Sequence, residues 1–181
     1  YNTYWLNKPI NKLTVSHKHT LRIDGGTDSF RYAIDANYND NKGVMKQSGR
    51  KREGIGMYFQ YFYVNINLSN EITYTSMQSK NSPYGDFSTY AALNPYFRYK
   101  DDDGKYLVLL DGDAEAQSTS VNIPQYNPLF NTTLKVKDGS TYEEFKNNFN
   151  VVWNITRCWI LRGNLSITKQ TNTATLFKPA R

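Results

Sequence analysis

Apolar and polar side chains alternate along most of the chain. Phe30, Tyr32, Ile34, Ala36 and Tyr38 fall on one face, opposed by Arg31, Ala33, Asp35, Asn37 and Asn39. A period of two marks a strand with one face covered and the other wet. The same alternation carries Leu13, Val15, Leu21 and Ile23, then Ile55, Met57, Phe59 and Tyr61, then Ile66, Leu68, Ile72 and Tyr74. Near the C-terminus it carries Phe149, Val151, Trp153 and Ile155, and finally Trp159, Leu161, Leu165 and Ile167. The pattern predicts strands over about residues 13–24, 28–39, 52–62, 66–79, 142–156 and 159–169. They are longer than the common strand of about five or six residues. They match the roughly 9–11 residues that a tilted strand needs to cross a bilayer.

The connections are predicted to alternate in length. Tight turns sit near Gly25-Gly26-Thr27, Tyr63-Val64-Asn65 and Arg157-Cys158, with long stretches at about 40–50, 80–141 and from about 170 onward. Outer-membrane barrels have this asymmetry, with short periplasmic turns and longer extracellular loops. Aromatics also gather toward the predicted strand ends, with Phe30, Tyr61, Trp153 and Trp159 near the short turns and Tyr38 and Tyr74 toward the long loops. Aromatic girdles of a membrane barrel lie at such positions. The residues expected to meet lipid are Tyr32, Ile34, Tyr38, Met57, Phe59, Ile72, Val151, Trp153 and Leu165. Periodicity alone leaves a soluble β-sandwich open, because a second layer could cover the same apolar face.

The long middle connection has signals of its own. Asn81-Ser82-Pro83-Tyr84-Gly85 is a turn cluster. Asp86 or Ser88 can cap a short helix running to about Leu93, which Asn94-Pro95 stops. Tyr96–Tyr99 and Lys105–Leu110 predict a hairpin across Asp101-Asp102-Asp103-Gly104. Those aspartates do not make a calcium loop, since Tyr99 and Leu110 stand where the EF-hand pattern needs acids. Residues 112–126 are rich in Ser, Thr and Gln and read as irregular.

Composition narrows the class. Mean hydropathy is −0.69, yet 15% of the residues are aromatic, which excludes a disordered chain. The longest aliphatic run, Leu107–Leu110, excludes a helical membrane span. The net charge of +6 invites a nucleic-acid reading. Apart from Lys42, Lys46, Arg50, Lys51 and Arg52, however, the cations form no stripe, and no nucleic-acid-binding motif accompanies them.

No catalytic constellation emerges. His17 and His19 have the spacing that aims two imidazoles alike from a strand, but no nearby Cys, Asp or Glu completes a metal set. They fall on the apolar row at the middle of the first predicted strand, a place that does not suit them. Glu143 and Glu144 are adjacent, hence on opposite faces of a strand and not an acid/base pair. Cys158 is the single cysteine and has no histidine base beside it. No P-loop, dinucleotide or nucleophile-elbow motif occurs, so neither cofactor nor enzymatic activity is expected.

Several segments resemble a known family. Phe30-Arg31-Tyr32 through Asn41-Lys42-Gly43-Val44-Met45-Lys46 is similar to the early barrel of the SusC/RagA-type TonB-linked outer-membrane transporters of Bacteroidetes. Asn81-Ser82-Pro83-Tyr84-Gly85-Asp86-Phe87-Ser88-Thr89-Tyr90, running on to Asn94-Pro95-Tyr96, resembles a characteristic segment of that family. So do Asn127-Pro128-Leu129 and Phe145-Lys146-Asn147-Asn148-Phe149.

The resemblance spans about residues 4–168 and implies the portion of a 22-stranded barrel that follows a plug domain. It implies energy from TonB, a SusD-like lipoprotein lid, and oligosaccharide or peptide cargo taken up without bond chemistry. On that reading the 80–141 loop is extracellular, and Tyr84, Asp86, Tyr90 and Tyr96 are candidates for ligand or lid contact. Six strands are too few to close a barrel, for which about eight is the practical minimum, so the chain is expected to be one part of a longer protein. The rival readings are a secreted carbohydrate-binding β-sandwich and a TonB-dependent siderophore receptor.

Overall fold

The computed structural model describes residues 2–110 and 125–179. The segment expected to be irregular, 112–126, therefore lies outside the described residues except for Gln125 and Tyr126. The chain is all-β: six antiparallel strands form one sheet in meander order, each paired with its sequence neighbour. They are β1 (His17–Gly26), β2 (Phe30–Lys42), β3 (Gly49–Tyr63), β4 (Ile66–Lys80), β5 (Lys137–Asn154) and β6 (Ile160–Phe177). Their lengths rise from 10 residues in β1 to 18 in β5 and β6.

Five boundaries differ clearly from those the alternation predicts, among them the end of β2 at Lys42 instead of about 39 and the start of β5 at Lys137 instead of about 142. β1 starts at His17, so Leu13 and Val15 precede it. β3 starts at Gly49, which shrinks the expected 40–50 connection to residues 43–48. β6 runs to Phe177, in register with β5 back to Lys137, so the expected tail from about 170 is strand. The contrast of short and long connections survives mainly in one place, between β4 and β5.

The tight turns fall where they were expected. Val64 has φ 49°, in the left-handed region, as a two-residue hairpin turn demands. At the first turn Thr27 N–H donates to the Phe30 carbonyl (2.6 Å), closing β1 onto β2.

The sheet is a single layer. Within it only Ala33, Asp40 and Gly54 are buried. The hydrophobic core lies elsewhere, in Trp5, Tyr90, Leu93, Leu110 and Leu129, with Tyr84, Phe97, Tyr99 and Tyr106 packed against it. This core belongs to the long connection together with the N-terminal segment. The predicted helix is present as α1 (Phe87–Ala91), with Asp86 at its N-cap position but making no side-chain cap bond. The predicted hairpin is reduced to a turn around Asp101–Lys105 with a lone bridge, Lys100 to Tyr106.

Candidate functional site

The strand register fixes which side chains share a face. Directly opposed residues point the same way, so rows can be traced across the sheet. One row reads Leu21, Ala36, Ile55, Tyr74, Phe145, Lys169, and the next on the same face reads Ile23, Ile34, Met57, Ile72, Asn147, Ile167. Below them come Tyr32, Phe59, Asn70, Phe149 and Leu165, then Phe30, Tyr61, Leu68 and Val151, then Tyr63, Ile66, Trp153 and Leu161. These rows form a mainly apolar belt, interrupted by Lys169, Asn147 and Asn70. All nine residues expected to meet lipid lie on this face.

Among the described residues nothing packs over the belt. Leu21, Ile23, Ile55, Leu161, Leu165 and Ile167 are each more than half exposed. An uncovered apolar face spanning five rows of the sheet is more than a soluble monomer ordinarily leaves to water. From Ile55 to Tyr63 the belt runs about 26 Å along the strand at ~3.3 Å per residue, roughly 20 Å in height at a tilt near 40°. Aromatics gather at its short-turn end, where Phe30 stacks on Tyr32 and Phe59, and Tyr61 on Tyr63.

The belt stops abruptly toward the long connection. The next row is His19, Tyr38, Glu53, Ser76, Glu143 and Thr171, followed by His17, Asp40, Lys51, Gln78, Thr141 and Thr173. This placement resolves the awkward histidines. His17 and His19 open β1 rather than filling its middle, and they stack with Tyr38 on the polar side of the boundary. Among the described residues, no group of three or more potential ligands could hold a metal ion.

The opposite face is polar along its length. Arg22 bridges to Asp35 at 3.1 Å, and Lys146 to Glu144 at 2.8 Å, with Tyr142 donating to the same carboxylate at 2.7 Å. Farther down, Ser166 donates to Asn148, Asn164 to Asn150, and Gln60 to Asn67. The Glu143–Glu144 split onto two faces holds, since Glu143 accepts from Tyr74 on the belt side.

The long connection is built from three separate stretches of chain. Thr3 donates through its backbone to Pro95 and through its hydroxyl to Phe97, and the Trp5 indole donates to Asn94. Lys46 donates to the Lys8 carbonyl at 2.6 Å, and Ser82 donates to the Lys46 carbonyl at 2.7 Å. Asn127, 1% exposed, donates to the carbonyls of Tyr99 and Leu107 and accepts from Leu129 N–H. Sequence patterning gives no sign of the N-terminal strap. Asn127 stood inside a family-like motif, but its role as a bonding hub was not visible.

The four candidate contact residues separate here. Tyr90 is 1% exposed and donates its hydroxyl to the Tyr84 carbonyl, so it is a core residue with no surface to offer a ligand. Burial, reinforced by the nearby Tyr84 and Tyr106, holds its pKa above the ordinary tyrosine range. Tyr84 is half-buried against the same core, with the Lys46 ammonium 5.6 Å from its ring. Asp86 is exposed, and Tyr96 is 75% exposed. Of the four, Asp86 and Tyr96 are the exposed pair.

No helix among the described residues is long and apolar enough to cross a membrane, which says nothing of crossing by strands. The chain matches no protein-family model and no curated protein.

Proposed function

We propose that the chain is part of the wall of an outer-membrane β-barrel importer of the SusC/RagA type, working with TonB and a SusD-like lid to take up oligosaccharides or peptides. The observation that carries the reading is the uncovered apolar belt, registered across all six strands and backed by a polar face. A sandwich would need a second sheet over that belt, whereas a barrel wall needs lipid. The polar face then lines the lumen, the β4–β5 connection is extracellular, and the two sheet edges pair with further strands. Family-like motifs coincide with structure: the Asn81–Tyr90 run forms the turn and α1, and Asn127-Pro128 opens a 3-10 helix over Pro128–Thr133. Ligand or lid contact then falls to Asp86 and Tyr96, while Tyr90 and Tyr84 belong to the core of the same connection.

The test uses the complete protein in its own outer membrane. It should migrate faster on a gel unheated than boiled, and brominated lipid should quench a fluorophore placed at Ile34 but not at Asp35. Equal quenching at both positions would exclude a lipid-facing belt. For cargo, D86A combined with Y96A should weaken glycan or peptide uptake while leaving barrel assembly intact.

A further inference from the structure

The polar face carries a hollow of its own. Around Gly56 the register sets nine positions in three rows: Asn37, Gly54 and Thr75; Asp35, Gly56 and Thr73; Ala33, Tyr58 and Glu71. The middle position has no side chain, and a cavity of about 240 Å³ opens over it. Ile55, Met57 and Tyr74 also border it, though their side chains belong to the belt face. A glycine inside a strand marks a bulge, a crowded backbone or the close approach of another molecule. Pairing runs residue for residue on both sides of Gly56, so there is no bulge. Its φ lies outside the left-handed region. A Cβ there would meet nothing nearer than Asp35 Cβ at 3.8 Å and Thr73 Cγ2 at 3.9 Å, which is ordinary contact. Gly54 differs, because a Cβ there would lie 2.8 Å from the Asn37 amide nitrogen. Nothing within the sheet denies Gly56 a side chain, which leaves approach from outside the sheet as the reason.

The groups around the hollow select the occupant. Asn37, Tyr58, Glu71, Thr73 and Thr75 make no side-chain hydrogen bond or ion pair among the described residues. Asp35 is already held by Arg22 at 3.1 Å. In the three rows, or directly beside, above or below them on this face, Arg22, Arg31, Arg52 and Lys146 balance Asp24, Asp35, Glu71 and Glu144. Lys18 stands beyond them at a corner. A cation would face Arg22 and Lys146 at the two ends of the central row, and an anion would face Asp35 and Glu71. A neutral group with many hydroxyls meets neither repulsion. Its hydroxyls can donate to the carboxylates and accept from the Asn37 amide and the two threonines, the bonds to carboxylate being the stronger. Tyr58, 38% exposed, adds an aromatic surface for the apolar side of a sugar. Strands about 4.8 Å apart and same-face rows roughly 6.7 Å apart give a rim of about 10 by 13 Å. Pockets for drug-sized ligands start near ~300 Å³, so this one suits a single ring. We propose that the hollow over Gly56 is a wall subsite that seats one neutral saccharide ring of the cargo, bonded by Asp35, Asn37, Glu71 and Thr73. The inference deepens the importer reading and rests on it, because only a closed barrel turns this face into a lumen.

The experiment uses the complete protein in lauryl dimethylamine oxide, a detergent whose headgroup is not a sugar. Neutral tetra- to heptasaccharides of glucose, mannose, xylose and fructose are the probes, with trilysine and capped tetra-alanine as rivals. At least one saccharide series should bind wild type. G56V fills the hollow with a side chain that suits a strand and should weaken that binding about tenfold. E71Q keeps the shape, loses the charge and should also weaken it about tenfold. G163V is the control, since it fills a strand glycine with open space around it on the belt face and should bind as wild type does. A second measurement leaves position 56 untouched. With 3-fluorotyrosine in place of Tyr58, the fluorine resonance should shift on adding the saccharide and stay put with either peptide. Failure of every saccharide to bind wild type, equal binding by G56V, or an unmoved fluorine would each overturn the proposal. A shift caused by a peptide instead would show that the hollow takes polypeptide, and would overturn it as well. Heat-modifiable migration is scored on every sample. Its loss in wild type would instead overturn the barrel reading itself.

Discussion

At the residue scale, two positions show how local physics sets the chain's path. Val64 is a β-branched residue at φ 49° and is 96% exposed, so its side chain gains no packing to offset the strain of the left-handed region. Val64→Asn should stabilise the β3–β4 hairpin by about 1 kcal/mol, because Asn tolerates this conformation. The check is the denaturant midpoint of the complete protein refolded in detergent, which should rise and not fall. Asn127 is the opposite case, a buried amide spent wholly on backbone groups: two carbonyls and one N–H. Asn127→Ala leaves the Leu107 carbonyl and the Leu129 N–H without partners, the Tyr99 carbonyl keeping only the Leu107 N–H, and should cost about 2–4 kcal/mol of local stability. Surface proteolysis of intact cells should then cut the 81–136 connection faster, while the strands stay protected.

At the element scale, legibility in the sequence followed the apolar signal. Where apolar residues alternate, as from Phe30 to Tyr38 or Ile55 to Tyr61, strand and face were both readable. The second half of β6 has no such signal: Thr171, Thr173 and Thr175 stand on one face and Gln170, Asn172 and Ala174 on the other. Only the β-propensity of Thr hinted at it. The start of β3, Gly49-Arg50-Lys51-Arg52, likewise reads as a solvated loop because its side chains are all polar, though its backbone ladder with β4 is complete. The error at β1 was the reverse, since Leu13 and Val15 alternate correctly but pair with nothing in the sheet. The face assignment makes its own prediction. Ile72→Arg places a charge at mid-belt beside Met57 and should cost about 2–4 kcal/mol if the belt meets lipid. Thr73→Arg, one residue on and facing Asp35's row, should be tolerated. Heat-modifiable barrel recovered from the outer membrane should fall sharply for the first variant and little for the second.

At the scale of the whole molecule, the apolar belt and the two outer strands raise the same physical demand. Every described strand pairs with its neighbours in the meander, but β1 and β6 each have a partner on one side only, with ladders 10 and 18 residues long on the side that is paired. An open strand edge that long is a template for another chain, and an uncovered apolar face adds a second adhesive surface. The conventional core found among the described residues, around Trp5, Tyr90 and Leu129, lies in the β4–β5 connection and the N-terminal strap, so it does nothing to shield the sheet. These 181 residues produced alone in water should therefore aggregate even though each hairpin is well formed. Detergent should cover the belt and leave the edges open, so soluble material in micelles should be oligomeric through β1 and β6. If the sheet is part of a barrel wall, both edges should be paired in the complete protein and the same residues should run as a monomeric unit. Light scattering in buffer, then crosslinking in micelles between cysteines at Thr20 and Thr168, separates the two demands. Monodisperse monomer in buffer would show that the belt is covered from within, and that the sheet is not the wall of a barrel.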